Sequence, residues 1–207
     1  MKSFFAERRP HDGLTYDEYR EAWRRKLDRS LDGLDKEERK KAHYVRYNYE
    51  RSQHVHERYD PSEALRDAVA AIDESQLWMV LTDDWCGDAA YNLPVIVEAA
   101  RLNDNVRLRI LRRDDNLDIM DQYLTGGSRS IPKLVAFAED GTERFTWGPR
   151  PEEAGSRFQE AKEAETDKEA VIEKLLAWYE KGGWQQVDDE LAAAIEQGRS
   201  VKEGAAA

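Results

Sequence analysis

Cys86 is the only cysteine of the 207-residue chain. It stands in the run Trp85-Cys86-Gly87-Asp88-Ala89, directly after the apolar segment Leu77-Trp78-Met79-Val80-Leu81. A thiolate attacks disulfides, and a cysteine at a helix N-terminus has its pKa lowered by the unpaired backbone N–H groups there. The stretch 87–101 reads as that helix. Asp83, Asp84 and Asp88 lie close in sequence and act on a neighbouring thiol in the opposite sense. Asp88 also suits the first helical turn simply as an anion facing N–H groups. With no second cysteine, Cys86 cannot close a disulfide within its own chain. Any redox cycle through it must take the second sulfur from a substrate, a small thiol or another protein.

Composition sets the class of protein that carries this thiol. An apolar content of 40% over 207 residues suffices for one sizeable core with helical additions. The N-terminus, Met1-Lys2-Ser3-Phe4-Phe5-Ala6, lacks an apolar secretory region, and no segment approaches the roughly 20 apolar residues of a membrane span. A single cysteine argues against a secreted disulfide scaffold. A cytoplasmic location is expected, without a membrane or a nucleic-acid partner, since a net charge of −11 repels polyanions.

The elements that must position Cys86 follow from periodicity. Tyr16, Tyr19, Trp23 and Leu27 recur at helical spacing, a break at 31–35 leads to a second helix starting near Lys36, and Pro61-Ser62-Glu63 opens a third with Leu65, Val69 and Ile72 on one face. From 77 to 148 the pattern changes: strands at 77–82 and 106–112 flank the helical stretch, the order of a βαβ unit with parallel strands. Segments 132–138 and 142–147 around Glu139-Asp140-Gly141 read as a β-hairpin. Strand 77–82 is predicted to be central, beside 106–112 and 132–138, with helices on both faces. After Pro149-Arg150-Pro151 the chain returns to helix, with Val171, Leu175, Trp178 and Tyr179 on one stripe. A last helix runs to about Gln197, with 204–207 expected to be a frayed tail.

Other residues invite sharper readings. His54 and His56, two apart, point to different sides of a helix and read as solvated or packing histidines, so no metal site is expected. Tyr44, Tyr47 and Arg51 share a helical face and read as packing against the core with guanidinium stacking. Trp85 is expected to shield the thiol, Trp78 to lie in the core, and Trp178, Tyr179 and Trp184 to cement the C-terminal helices.

Several of these landmarks together resemble the thioredoxin superfamily. Trp85-Cys86-Gly87-Asp88-Ala89, with Pro94 in the following helix, resembles Trp-Cys-Gly-Pro-Cys and its kinking proline. Gly127-Ser128-Arg129-Ser130-Ile131-Pro132-Lys133-Leu134 resembles the segment whose proline is cis, and Gly148 matches the glycine ending the last strand. The chain further resembles a group of uncharacterised bacterial thioredoxin-like proteins carrying Trp-Cys-Gly-Asp-Ala. The resemblance implies an α/β thioredoxin-like fold with a mixed sheet of at least four strands. It divides the chain into an N-terminal helical extension (1–61), a thioredoxin-like core (62–150), C-terminal helices completing the fold (151–200) and a tail (201–207). It also implies a site of Cys86 with Arg129, whose loop faces the cysteine in thioredoxins, as the catalytic pair. Trp85, Gly87, Asp88, Ile131 and Pro132 would bind substrate, with the Ile131 backbone presented to an extended peptide or to glutathione.

Two departures restrict the chemistry. The resolving cysteine is replaced by Ala89, and the buried acid that thioredoxins carry six positions before the first cysteine is Val80. Both serve the step in which the second thiol attacks the mixed disulfide, so dithiol reductase activity is not expected. Two functions remain open. One is a monothiol thiol-disulfide oxidoreductase, with a protein or small-molecule disulfide as substrate. It needs no bound cofactor, but takes glutathione or another low-molecular-weight thiol as co-substrate. The other is a non-catalytic scaffold that docks peptides in the same groove.

Overall fold

The computed structural model describes residues 1–164 and 167–205. Its elements in chain order begin with the short α1 (Ser3–Ala6), α2 (Tyr16–Leu27), α3 (Lys36–Arg58) and α4 (Glu63–Ala70). Each start of the last three is written in the sequence: Thr15 with Glu18 and Asp35 with Glu38 form reciprocal capping boxes, and the Ser62 side chain accepts from the Leu65 N–H. Next come β1 (Gln76–Thr82), α5 (Gly87–Arg101), β2 (Val106–Arg112), α6 (Leu117–Met120), β3 (Lys133–Ala138) and β4 (Glu143–Trp147). The chain closes with α7 (Glu152–Ala164), α8 (Lys168–Glu180) and α9 (Gln186–Ala205).

The strands form one mixed sheet in the order β2-β1-β3-β4. β1 runs parallel to β2, with Gln76 opposite Val106 and Thr82 opposite Arg112, and antiparallel to β3, with Val80 opposite Leu134. All seven residues of β1 are buried, which is what an uninterrupted apolar strand covered on both faces requires. Side-chain alternation splits the interior in two. Trp78 and Val80 join Tyr19 and Trp23 of α2, Leu65 of α4, Ile96 of α5, Leu175 of α8 and Leu191 of α9 in the larger core. Leu77, Met79 and Leu81 face Phe4 and Phe5 of α1, Ile119 and Met120 of α6, and Phe137 of β3. Leu14 exchanges backbone hydrogen bonds with Ile110, covering the outer edge of β2.

Two expectations need correction. The last helix continues to Ala205, through the positions expected to fray, while 206–207 lie outside the described residues. The buried face of α3 is Val45, Asn48, Ser52 and Val55, whereas Tyr47 is 52% exposed with Arg51 over its ring. A helix this long, packed along one stripe, leaves the Tyr47 face outward. No helix among the described residues is long and apolar enough to cross a membrane.

Candidate functional site

The end of β1 and the start of α5 position the thiol. Cys86 is the N-cap of α5 (φ −82, ψ 122), its backbone N–H donates to Asp83 O at 3.1 Å, and its carbonyl accepts from Ala90. The thiol is buried, at 8% exposure, and donates to the carbonyl oxygen of Ile131 at 3.2 Å. Cys86 and the segment Ile131-Pro132, far apart in sequence, are therefore in contact. The Ile131–Pro132 bond is cis, as is Gly148–Pro149. At Gly148 the backbone has φ +103, and a Cβ there would lie 2.3 Å from the Pro132 carbonyl oxygen, so the chain after β4 sits directly against the loop that touches the thiol.

The other site residues are arranged around this contact. Trp85 is half-buried, with the Arg113 guanidinium 4.7 Å and Lys41 Nζ 5.7 Å from its ring centroid. Asp88, in the first turn of α5, is 8% exposed. One of its oxygens accepts from Arg150 Nη2 at 2.6 Å and the other from the Tyr179 hydroxyl at 2.9 Å. Asn92 donates both to Tyr179 Oη (3.2 Å) and to the Pro149 carbonyl (3.3 Å). The Tyr91 and Tyr179 rings stack 4.8 Å apart. A Cβ on Gly87 would meet Leu176 of α8 at 3.1 Å, so α8 lies on the turn that carries the thiol.

Burial, followed by the Asp88 charge, pushes the Cys86 thiol up to about 12. The N–H groups of Ala89 and Asp88 and the Arg150 guanidinium oppose this and do not overcome it. The lowering by the helix N-terminus is thus outweighed in this conformation. The sequence showed the helix N-terminus but not the three-dimensional cover that strips water from the sulfur. Arg129 is likewise not the cation of this site. Its side chain is half-exposed and makes a two-point pair with Asp121 at 2.6 and 2.8 Å, while its backbone carbonyl accepts from Arg113. Arg150 takes the place assigned to Arg129. Asp83 and Asp84 also turn away: Asp84 pairs with Arg112 at 3.0 Å and with Lys26, and Asp83 accepts from the Asp114 N–H. Burial raises Asp83 to about 6.

The alkylation rate of Cys86 against pH is therefore expected to climb through pH 9 and beyond without the plateau of an exposed thiol. Arg129→Ala should leave that profile unmoved, Arg150→Ala should shift it upward, and Asp88→Asn should shift it downward. A plateau near pH 8 in the unaltered protein would contradict this assignment.

Arg150, Tyr179, Leu176 and Arg113 had no motif to announce them. The only signal was a pattern of apolar residues on the stripe containing Leu175 and Tyr179. Ala89 is buried at 4% exposure where thioredoxins have the second sulfur, and Val80 is fully buried in the larger core. His56 packs between Tyr16 Oη (2.5 Å) and Glu98 (3.0 Å), and His54 lines an open cleft of about 370 Å³ between α3, α5 and α8. Among the described residues no group of three or more His, Cys, Asp or Glu could hold a metal ion.

A mixed four-stranded sheet with a helix-capping cysteine against an Ile-Pro loop defines a thioredoxin-like protein. The chain belongs to the thioredoxin family, whose model matches residues 34–163. Two solved structures share the fold: a protein of unknown function from Pseudomonas aeruginosa and an HIV epitope-scaffold. Each has a TM-score of 0.53 at 19% sequence identity, covering 88% of this chain and 98% of its own. No curated protein matches the chain.

Proposed function

We propose that the protein is a monothiol thiol-disulfide oxidoreductase acting through Cys86. The observation that carries this reading is the 3.2 Å contact between Cys86 Sγ and the Ile131 carbonyl. The nucleophile and the backbone that would pair with an extended peptide or with glutathione are thereby adjacent. Cys86 as thiolate attacks one sulfur of a mixed disulfide, the S–S bond breaks, and the leaving thiolate takes up the proton that Cys86 lost. An external thiol then attacks the Cys86 mixed disulfide, restores the Cys86 thiol and leaves as the new disulfide. One disulfide and one thiol are consumed and one of each is formed. With Ala89 in place of a second sulfur, no internal resolution takes part.

In an assay with a glutathionylated peptide and glutathione, the protein should accelerate release of the free peptide thiol, and Cys86→Ser should return the rate to background. Mixed with a protein disulfide and no other thiol, the reduced protein should stop at the Cys86 mixed disulfide. Release of fully reduced substrate under those conditions would overturn the monothiol reading.

The burial and raised pKa of Cys86 favour a second reading, a peptide-docking scaffold without turnover. Peptide binding that is equal in the unaltered protein and in Cys86→Ser, with no exchange in either, would select it.

A further inference from the structure

The loops that follow β1 and β2 lie side by side at the carboxyl ends of two parallel strands, the place where open α/β sheets take ligands. The Arg113 N–H donates to the Thr82 carbonyl at 3.0 Å and the Asp114 N–H to Asp83 Oδ2 at 3.2 Å. Arg113 is thereby held beside the turn that carries Trp85 and Cys86, and its side chain joins the two segments that meet at the thiol. Its guanidinium lies 4.7 Å from the Trp85 ring centroid. Its Nη1 donates to the Arg129 carbonyl at 3.1 Å, two residues before the Ile131 carbonyl that accepts from Cys86. Its other bonds go to Asp114, which leaves two of its five N–H donors without a partner among the described residues. Lys41 of α3, exposed to solvent, brings a second cation to the same ring at 5.7 Å.

The carboxylates in contact with these residues are each taken up by a cation. Asp84 pairs with Arg112 and Lys26, Asp114 with Arg113, and Asp121 with Arg129, while Asp83 lies 3.7 Å from Arg112. Lys41 forms no ion pair among the described residues, and Trp85 is its contact. We infer that Lys41 and Arg113 select, as the partner of Cys86, a disulfide that carries a carboxylate beside its sulfur, bound at the rim of Trp85 by the free donors of Arg113 and the Lys41 ammonium. A low-molecular-weight thiol or an acidic residue of a peptide supplies that chemistry equally. The same two charges repel a cationic partner, which adds discrimination to affinity. Neither residue moves a proton or an electron; both act on the group flanking the sulfur. The inference rests on Cys86 being the reacting group of the proposed function, and it specifies the substrate class.

The test measures how fast Cys86 of the full chain forms a mixed disulfide with a matched series: the anionic dithiodipropionate, the neutral hydroxyethyl disulfide and the cationic cystamine. Each rate is divided by that of the same reagent with a small neutral thiol, and comparison at one pH cancels the pKa of Cys86. The expected order is anionic, neutral, cationic, with each step roughly two- to fivefold at low salt, as for exposed charge pairs, and narrowing as salt is added. Lys41→Gln and Arg113→Gln should each reduce the anionic-to-cationic ratio about twofold or more, and Lys41→Glu should reduce it further. Arg113→Lys keeps the charge and should retain the preference. Slower reaction with glutathione disulfide once its carboxylates are esterified points to a small thiol as the source, and a slower disulfide-linked peptide when Glu beside its Cys becomes Gln points to a peptide. Equal relative rates across the series, or a preference that neither Gln variant changes, would overturn the inference. Should Cys86 form no adduct, binding of the Glu and Gln peptides to Cys86→Ser decides: tighter binding of the Glu peptide upholds the inference, and equal binding overturns it. A charge preference without turnover of a glutathionylated peptide would uphold the inference and remove the oxidoreductase reading, whereas turnover without charge preference would do the reverse.

Discussion

Asp88→Ala is expected to destabilise the protein by about 3–5 kcal/mol, the usual result of removing one member of a buried ion pair and leaving the other. The Arg150 Nη2 lies 2.6 Å from Asp88 with its side chain only 18% exposed, and its buried Nε has no hydrogen-bond partner among the described residues. Deleting the carboxylate strands that charge and at the same time removes the acceptor of the Tyr179 hydroxyl proton, on a ring that is fully buried. Asp88→Asn keeps one acceptor oxygen, which serves Arg150 or Tyr179 but not both, and should therefore lose less than Asp88→Ala without being neutral. Urea denaturation read by tryptophan fluorescence separates the two variants. Equal midpoints for Asp88→Ala and the unaltered protein would mean that the pair contributes nothing to stability.

A comparable loss is expected for Gly148→Ala, by a different route. The added methyl would lie 2.3 Å from the Pro132 carbonyl oxygen, a backbone atom that cannot rotate away, and the residue would have to hold φ +103. The left-handed backbone costs an alanine roughly 1–3 kcal/mol, and the forced displacement adds about 1–3 kcal/mol of overpacking. The displacement falls on the loop that touches the thiol, so the Ile131 carbonyl should move from Sγ and Cys86 should alkylate faster, in step with the lowered urea midpoint. A variant with the midpoint and labelling rate of the unaltered protein would show that this close approach is not needed. Gly148 matters because two backbones meet there, which its type alone hinted at and only the packing explains.

Much of the frame was legible because its causes are local. Three helix starts are set by Thr15, Asp35 and Ser62 through bonds to residues three positions on. The central place of β1 follows from an apolar run with no polar face, and the edge-side place of β2 from arginines that alternate with Leu108 and Ile110. α1 escaped notice for the converse reason: Phe4 and Phe5 are adjacent in a four-residue helix, too short for any period, although both rings are buried against Phe137. The cleft beside α3 was equally hidden, since the helical pattern does not show which aromatic face meets the core.

For the site, the division is between covalent neighbourhood and spatial neighbourhood. The sequence by itself determined that a single cysteine stands at a helix N-terminus after a buried strand, that a second sulfur is absent at Ala89, and that an Ile-Pro segment precedes β3. Only the tertiary structure decided whether that thiol is ionised and reachable. Arg150 and Tyr179 meet Asp88 from 62 and 91 residues away, and Leu176 of α8 packs beside Gly87. Helix capping acts within one turn and can be read from neighbours in the chain. Desolvation and charge pairing depend on whatever packs within a few ångströms, whichever part of the chain supplies it, and here that cover outweighs the helix N-terminus at Cys86.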